Sequence, residues 1–330
     1  MKTARHQRSL VFELTSALDS FLDEYAYSGS PETERNYRQH LRPFREYCER
    51  AGITTLEEID ADFLRQYIKA QSRSTYTRKG HEDEPRRLAS STLAQRHAAL
   101  NTFFNWCVNE GRLAASPMAT VRRPRGEKRV RYALEPEEVR ALLRASKEAP
   151  GILKHRDYAL LLTFLGTGAR LDEVRKMRWS DIHWGEVPNE NDRRGRAVGY
   201  IVLYGKGRKE RRARMSKELR RALRRWKDVC PQIPGDYVWV SLRRTQMSKQ
   251  GIWSMLKNLA KYAGVDTNVH AHRFRHTFAA QFTAANRDVF ATSRRLGHER
   301  IKTTEDYLHS LGVDYGTDES YKTPDEWLHA

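Results

Sequence analysis

The C-terminal part of the sequence places a histidine close to a tyrosine whose hydroxyl group could be kept accessible for chemistry. In the segment RRLGHERIKTTEDY, His298 stands nine positions before Tyr307. A phenol becomes a nucleophile near neutral pH when cationic groups or a base assist its deprotonation. The other interpretation of Tyr307 is a half-buried structural side chain, which is the commoner role of a tyrosine on a helix.

Two earlier segments carry basic side chains that could bind an anion or reach into a groove. In GTGARLDEV, Arg170 opens a helix, where backbone amides also favour anions, and Glu173 follows three residues later. Glycines flank Lys206 in GKGRKER, so this lysine can swing at the tip of a tight hairpin. The simpler alternatives are a surface ion pair for Arg170 and Glu173 and a solvent-exposed side chain for Lys206.

The segment HAHRFRHTF places His272 and Arg275 three residues apart on one helix face. His276 is four residues from His272, so the two histidines could also form part of a zinc site. Neither an HExxH pattern nor a third ligand accompanies them, and we therefore expect no metal and no cofactor. A core histidine with a satisfied hydrogen bond is the simpler interpretation of His276.

The periodicity of apolar residues divides these segments between two domains. Amphipathic helices fill the first third of the chain, interrupted by a charged loop at 77–87. From about 134 onward helices resume around one β region, with a strand at Tyr200–Tyr204, a basic second strand and an optional third at 236–241. We expect a mainly α chain with a small antiparallel β-sheet, in which a four-helix domain precedes a mixed α+β domain. The predicted ranges are a helical domain at 1–117, a basic linker at 118–133, a mixed domain at 134–310 and a tail at 311–330.

The charge balance predicts a polyanionic partner. Lysine and arginine number 60 against 42 acidic residues, which gives a formal net charge of +18. The alternative is a basic protein with no such partner. Likewise, the linker is either a solvated connection or a phosphate-binding segment. The basic residues predicted to contact phosphate are Arg122, Arg123, Arg125, Lys128 and, past the hairpin turn, Lys209.

The cysteine count and the apolar runs indicate the compartment. Three widely spaced cysteines without a CxxC pair indicate neither a disulfide framework nor a cysteine zinc site. The first residues lack an apolar signal segment, and no apolar run is long enough to span a membrane. We therefore expect a cytoplasmic, nucleoid-associated protein with no membrane partner.

Taken together and in this order, the candidate residues resemble the catalytic set of the tyrosine recombinase (phage integrase) family. The surrounding segments TGARLDEV, HRFRHTFA and LGHERIKTTEDY are similar to the first, second and last boxes of that family. The sequence departs from the family at Ala271, where proline is frequent, and at the charged Arg273, but neither departure alters a reacting group. The residues that carry the resemblance are Arg170, Lys206, His272, Arg275, His298 and Tyr307, with Glu173 in support.

The resemblance implies a metal-free and ATP-free cutting and rejoining of duplex DNA. Tyr307 would attack a backbone phosphate and form a covalent 3′-phosphotyrosine bond, which conserves the energy needed for rejoining. Arg170 and Arg275 carry planar, permanently charged guanidinium groups, which would clamp the non-bridging oxygens as negative charge grows on them. Lys206 would be the general acid that protonates the departing 5′ oxygen.

The resemblance also assigns supporting roles and an assembly. His272 would assist proton transfer at the tyrosine, His298 would hydrogen-bond the phosphate, and Glu173 would orient the basic residues. The helical domain would be a core-type DNA-binding domain, and the chain, a monomer in solution, would form a homotetramer on synapsed, specific recombination sites. The tail would dock on a neighbouring protomer or form a frayed terminus.

Other functions also fit a basic DNA-binding surface. A catalytically silent DNA-binding regulator is disfavoured because every expected reacting residue is present. A type IB topoisomerase-like enzyme would relax supercoils as a monomer with no site preference. A metal-dependent nuclease is disfavoured because the sequence shows no carboxylate cluster.

Lys206→Ala should be nearly inactive on ordinary DNA but largely restored on a substrate whose bridging 5′ oxygen is replaced by sulfur. The sulfur leaving group needs no proton, so the loss of a general acid matters little there. Single-turnover cleavage of both substrates measures this, with Lys209→Ala as the control. Sulfur rescue of Lys209→Ala in place of Lys206→Ala would show that the predicted hairpin register is wrong.

Overall fold

The structure, a computed structural model, divides the chain into two compact units, Met1–Arg129 and Val130–Ala330. The boundary between the units falls inside the predicted basic linker. Arg125, Lys128 and the tail at 311–330 lie outside the residues that the structure describes. The described residues are 12–29, 31–78, 81–124, 133–185, 199–205, 209–265, 268–297 and 301–309.

Four helices build the core of the first unit. Each of them turns an apolar face inward, and these faces meet in a core rich in aromatic side chains. Phe21, Phe44, Tyr67 and Phe103 are fully buried in it. The helices are α1 (Leu14–Ser28), α2 (Pro31–Ala51), α3 (Ala61–Arg73) and α4 (Ser90–Asn109).

Two features of the first unit differ from the sequence-based expectation. The predicted charged loop at 77–87 is part of an antiparallel hairpin of β1 (Thr75–Arg78) and β2 (His81–Arg87). The described side chains of this hairpin are exposed, so the strands lack the apolar alternation that would have predicted them. Met118 and Val121, at the start of the predicted linker, are buried in the helical core, so the packed part of the unit extends beyond 117.

The second unit combines eight helices of the described part of the chain with one three-stranded antiparallel sheet. The strands pair in the order β3-β4-β5, which confirms the predicted strand at Tyr200–Tyr204 and its basic partner. The optional strand at 236–241 forms only isolated bridges, from Tyr237 to Arg178 and from Val240 to Gln246. The strands are β3 (Ile182–His183), β4 (Tyr200–Tyr204) and β5 (Glu210–Arg214), and the helices are α5 (Pro136–Lys147), α6 (Leu153–Thr167), α7 (Leu171–Arg175), α8 (Lys217–Val229), α9 (Lys249–Tyr262), α10 (Ala271–Asn286), α11 (Val289–Leu296) and α12 (Ile301–His309).

Helix α6 lies at the centre of the second unit, since α5, α8 and α10 all pack against it. Phe164 of α6 stacks on Phe274 of α10 with their ring centroids 5.8 Å apart, and both side chains are fully buried. Trp226 of α8 closes the core and donates its indole N–H to the carbonyl oxygen of Val238 at 2.7 Å. The predicted fold class, mainly α with a small antiparallel sheet, is confirmed. In the described ranges, no helix has the length and apolar character needed to cross a membrane.

Gly168→Ala should destabilise the second unit by about 2–4 kcal/mol, because left-handed strain and overpacking add at this position. Gly168 ends α6 with φ +58°, and an added Cβ would lie 2.5 Å from Cδ1 of Phe278. Gly264→Ala is the matched control, since Gly264 has φ +65° but open space around it, and only the strain of about 1 kcal/mol applies there. Equal losses in denaturant unfolding would contradict the packing argument at Gly168.

Candidate active site

Three predicted site residues gather where α6 ends. Gly168 takes a left-handed conformation and ends α6, and the chain then enters α7 through Arg170, whose extended backbone caps that helix. Glu173 lies inside α7, and Arg275 approaches from α10. The turn at Gly168 therefore lies at the centre of the candidate site.

The buried carboxylate of Glu173 holds Arg170 in place through two hydrogen bonds. Its oxygens accept the backbone N–H of Arg170 at 3.0 Å and the Nη1 donor of the same residue at 2.9 Å. The side chain of Glu173 is only 3% exposed, whereas that of Arg170 is 41% exposed. The pair is thus not the surface ion pair of the simpler alternative, because the anion is buried and only the guanidinium reaches solvent.

Arg211 is a site component that sequence reasoning missed. Its Nη2 donates to the second oxygen of Glu173 at 2.8 Å, and its Nη1 donates to the carbonyl oxygens of Arg295 at 2.5 Å and Thr167 at 3.3 Å. One guanidinium therefore connects β5 with α7 and with the ends of α6 and α11. The available signal was strand alternation, since Arg211 and the buried Ala213 lie on the same face of β5.

The ionisation of Glu173 follows from this network. Burial acts to raise the pKa of the carboxyl group, but Arg211, the amide of Arg170 and the Arg170 side chain outweigh it, so the pKa is lowered. Glu173 is thus a fixed anion near neutral pH. Its carboxylate accepts hydrogen bonds from two guanidinium groups, and the orienting role that the resemblance implies for it stays a prediction.

Arg275 bridges two left-handed turns. Its Nη1 donates to the carbonyl oxygen of Gly168 at 2.8 Å and its Nη2 to that of Leu296 at 2.7 Å, and the residue is only 4% exposed. Gly297, with φ +67°, ends α11 directly after Leu296. Arg275 therefore ties the turn before Arg170 to the turn that leads to the predicted His298.

Several cations crowd this part of the second unit. The guanidinium of Arg295 has a lowered pKa because of its burial and because Arg214 and Arg211 repel its charge. Such a cluster creates a positive potential that favours an anionic ligand. The geometry around α6 and α11 therefore suits a phosphate group.

The remaining predicted catalytic residues are described only in part. His272 is exposed near the start of α10, with its ring centroid 6.3 Å from that of His270, whereas His276 is buried. Lys206 and His298 lie outside the described residues, as does the side chain of Tyr307, whose backbone belongs to α12. Within the described part of the chain, no group of three or more histidine, cysteine or acidic side chains could hold a metal ion.

Helix α10 is anchored by a residue at which the sequence departs from the family pattern. Arg273 donates to Glu138 of α5 at 3.1 Å and to the carbonyl oxygen of Ala133 at 3.4 Å. One turn later, Thr277 accepts the backbone N–H of Leu134 at 2.7 Å. These contacts fix the entry into α5 against α10, so Arg273 has a structural role.

The predicted phosphate contacts are exposed where the structure describes them. Arg122 and Arg123 follow Val121, the last buried residue of the first unit among those that the structure describes, and both reach solvent. Lys209 is exposed next to β5, and its carbonyl oxygen accepts the amide of Gly205 at 2.8 Å, which closes the base of the hairpin that contains Lys206.

Comparison with protein families and curated relatives identifies both parts of the chain. Residues 133–312 match the phage integrase family, and residues 18–111 match the phage integrase N-terminal SAM-like domain. The chain is 28% identical over 252 residues to the tyrosine recombinase XerC of Xanthomonas axonopodis pv. citri (strain 306), covering 76% of this chain and 74% of the relative. It is also 28% identical over 282 residues to XerC of Actinobacillus pleuropneumoniae serotype 7 (strain AP76), covering 85% of this chain and 84% of the relative.

Solved structures share the fold. The XerH site-specific recombinase bound to palindromic difH substrate superposes with a TM-score of 0.68 at 19% identity, covering 89% of this chain and 81% of that chain. A lambda integrase dimer bound to a COC' core site gives 0.67 at 18% identity, covering 94% of this chain and 100% of that chain. Because the family match spans more than half of the sequence, the chain belongs to the phage integrase family. Within that family it is a tyrosine-type site-specific recombinase, an enzyme that breaks and rejoins DNA strands.

Glu173→Gln should destabilise the second unit by about 3–5 kcal/mol at pH 7, because it leaves the buried charge of Arg211 uncompensated. The folded-state pKa of Glu173 is lowered, so its stabilisation is complete above the unfolded value of about 4.3 and is lost as the pH falls through the folded pKa. Denaturant unfolding of both proteins between pH 7 and pH 3 should therefore show the difference shrinking as the pH falls.

Asp172→Asn is the matched control for Glu173→Gln. Asp172 pairs with Lys249 at 2.8 Å and with Arg175 at 3.2 Å, but its side chain is 39% exposed. We expect it to cost about 1 kcal/mol or less, as exposed pairs do. A Glu173→Gln effect as small as that of the control, or one that does not depend on pH, would contradict the buried network.

Proposed function

We propose that this recombinase cuts and rejoins specific DNA sites through Tyr307, with Arg170 and Arg275 stabilising the transition state. The observation that carries the proposal is the network at the end of α6, where Arg275 bridges the turns at Gly168 and Gly297. That network ties the turn before Arg170 to the turn at Gly297, after which the chain continues through His298 to Tyr307. A preorganised cationic site of this kind stabilises charge as it develops on a phosphate.

The proposed reaction is a phosphoryl transfer that balances within the protein and the DNA. The oxygen of Tyr307 forms a bond to the scissile phosphorus while the bond to the 5′ oxygen breaks, and the phenol proton passes to the imidazole of His272. Lys206 supplies the proton that the departing 5′ oxygen takes up. In the reverse direction, a 5′ hydroxyl attacks the phosphotyrosine, so neither nucleotide hydrolysis nor a metal ion takes part.

The two guanidinium groups differ in exposure, and we propose that they contact the phosphate in different ways. Arg170 is 41% exposed and can offer planar, paired donors to the non-bridging oxygens. Arg275 is buried and donates to two carbonyl oxygens, so it would act on the phosphate from a fixed position. We propose that His298 donates a further hydrogen bond to the phosphate and that Glu173, with Arg211, holds Arg170 in its orientation.

The proposed partners are duplex DNA with specific recombination sites and three further copies of the chain. A lambda integrase of the same fold has been solved as a tetramer bound to a Holliday junction, which supports a homotetramer on synapsed DNA. We propose that the chain is a monomer in solution. The basic residues Arg122, Arg123, Arg125, Lys128 and Lys209 would contact backbone phosphates. The tail at 311–330 would dock on a neighbouring protomer.

We further propose the domain limits and the compartment. The helical domain would bind the core of the DNA site and the mixed domain at 134–310 would carry the reaction, with the basic linker at 118–133 between them. The net charge of +18 and a DNA substrate support a cytoplasmic, nucleoid-associated enzyme.

Tyr307→Phe should abolish covalent attachment to DNA and leave binding nearly intact, because only the phenol oxygen is removed. Sequencing the DNA that becomes covalently attached to the wild-type protein defines the site, and a nicked duplex of that site then traps the intermediate on a denaturing gel. Binding is measured in parallel by gel shift. A covalent band from Tyr307→Phe would refute the assignment and make Tyr315 the next candidate, whereas no covalent band from the wild type would argue against the whole mechanism.

A further inference from the structure

A basic cleft lies on the second unit between the end of α5, the start of α6 and the outer face of α8. Helix α8 contributes Lys217, Arg221 and Arg225, one at every fourth position. Lys147 of α5 and Lys154 of α6 face them across a cleft of about 540 Å³. All five side chains are exposed, and together they are here named the basic strip.

The basic strip is separate from the candidate active site. Lys154 stands in the first turn of α6, whereas Gly168 ends that helix on the side of Arg170. At a rise of 1.5 Å per residue, the two ends of α6 are about 20 Å apart. A ligand on the start of α6 therefore lies well away from the residues proposed to bind the scissile phosphate.

The charges of the basic strip have no acidic partners among the described residues. Elsewhere, exposed arginines are paired along their own helix, as in the 2.6 Å contact of Arg38 with Glu34 and the 2.7 Å contact of Arg42 with Glu46. The acidic residue that lines the cleft, Glu218, already accepts a hydrogen bond from the Tyr158 hydroxyl group. Like charges four residues apart weaken a helix, so the row on α8 favours a bound polyanion.

On the other flank of α8, the cations pack against aromatic side chains instead of pointing freely into solvent. Arg224 lies over the ring of Trp184 at 5.5 Å, and Lys227 lies over the rings of Trp179 and Trp184 at 5.7 and 5.5 Å. These cations cover aromatic side chains of their own unit. The helix thus has one flank engaged in packing and one flank turned to solvent with unpaired charge.

The spacing of the row fits a nucleic-acid backbone. Side chains four residues apart on a helix lie about 6 Å from each other, so Lys217 to Arg225 covers about 12 Å. Since a DNA strand carries one phosphate per about 3.4 Å of helix axis, such a row faces about three or four phosphates. A row of cations of this length suits a long polyanion better than a single small anion.

We propose that the basic strip is a second DNA-binding surface, which holds the backbone of a duplex segment other than the one being cut. This inference rests on the proposed function only in taking DNA as the polyanion. The contacts go to phosphates, so the surface binds without regard to base sequence. It strengthens binding to long DNA and makes that binding more sensitive to salt.

The test compares two double variants of the full-length protein that lose the same charge from the same helix. Arg221→Gln/Arg225→Gln removes part of the basic strip, and Arg224→Gln/Lys227→Gln removes cations of the opposite flank. Binding to a labelled 60-bp duplex of arbitrary sequence is measured across a potassium chloride series. The slope of log Kobs against log salt is negative, and its magnitude should decrease by about 1.8 in the strip variant, about 0.9 for each lost phosphate contact. The slope of the control variant should change by less than half of that amount.

Further readouts separate the possible outcomes. An unchanged slope in the strip variant, or equal changes in both variants, overturns the proposal, and so does a strip variant that loses binding to polyglutamate but not to DNA. Thermal unfolding shows whether either variant is misfolded, and Arg221→Lys/Arg225→Lys, which keeps both charges, should retain the wild-type slope. Covalent trapping on a short nicked duplex should be unchanged in the strip variant. Failure of trapping in the wild type, with the slope difference present, would refute the proposed function and leave the second surface standing.

Discussion

The buried carboxylate of Glu173 is the charge around which the candidate site is organised. Burying an ion costs several kcal/mol unless nearby groups compensate it, and here the compensation comes from Arg170 and Arg211. Arg211 also donates to the carbonyl oxygens of Thr167 and Arg295, so satisfying one anion ties β5 to the ends of α6 and α11. The guanidinium of Arg170 thereby gains a fixed orientation while part of it stays in solvent, which is what a phosphate-binding group needs.

Two left-handed glycine turns make this arrangement possible. Gly168 and Gly297 end α6 and α11 with positive φ, and both lie so close to neighbouring side chains that a Cβ would meet Phe278 or Arg211. Their tight geometry lets Arg275 donate to the carbonyl oxygens on either side of the gap. Helix ends normally leave such carbonyl groups without partners, so the buried guanidinium both completes the turns and joins them.

The chain has a net charge of +18. Among the described residues, the spacing of acidic and basic residues along each helix determines which charges are paired. On α2, Arg38 and Arg42 each pair with a glutamate four residues away. On α8, the same spacing repeats cations on one flank, and the field of that flank remains available for a polyanion. We propose that the cations on α8 and those of the Arg211–Arg295 cluster together attract DNA over an area larger than the reacting centre.

The sequence by itself determined the fold class and the family, because helical periodicity and the spacing of TGARLDEV, HRFRHTFA and LGHERIKTTEDY are local properties that survive without any neighbour. The roles of Lys206, His298 and Tyr307 stay predictions from that spacing. Only the tertiary structure decided that Glu173 is buried, that Arg211 donates to the same carboxylate, and that a β-hairpin replaces the expected loop at 77–87. Arg211 is 38 residues from Glu173 and 84 from Arg295. Strand alternation indicates that Arg211 lies on the buried face of β5, but its partners depend on how α6, α11 and β5 pack together.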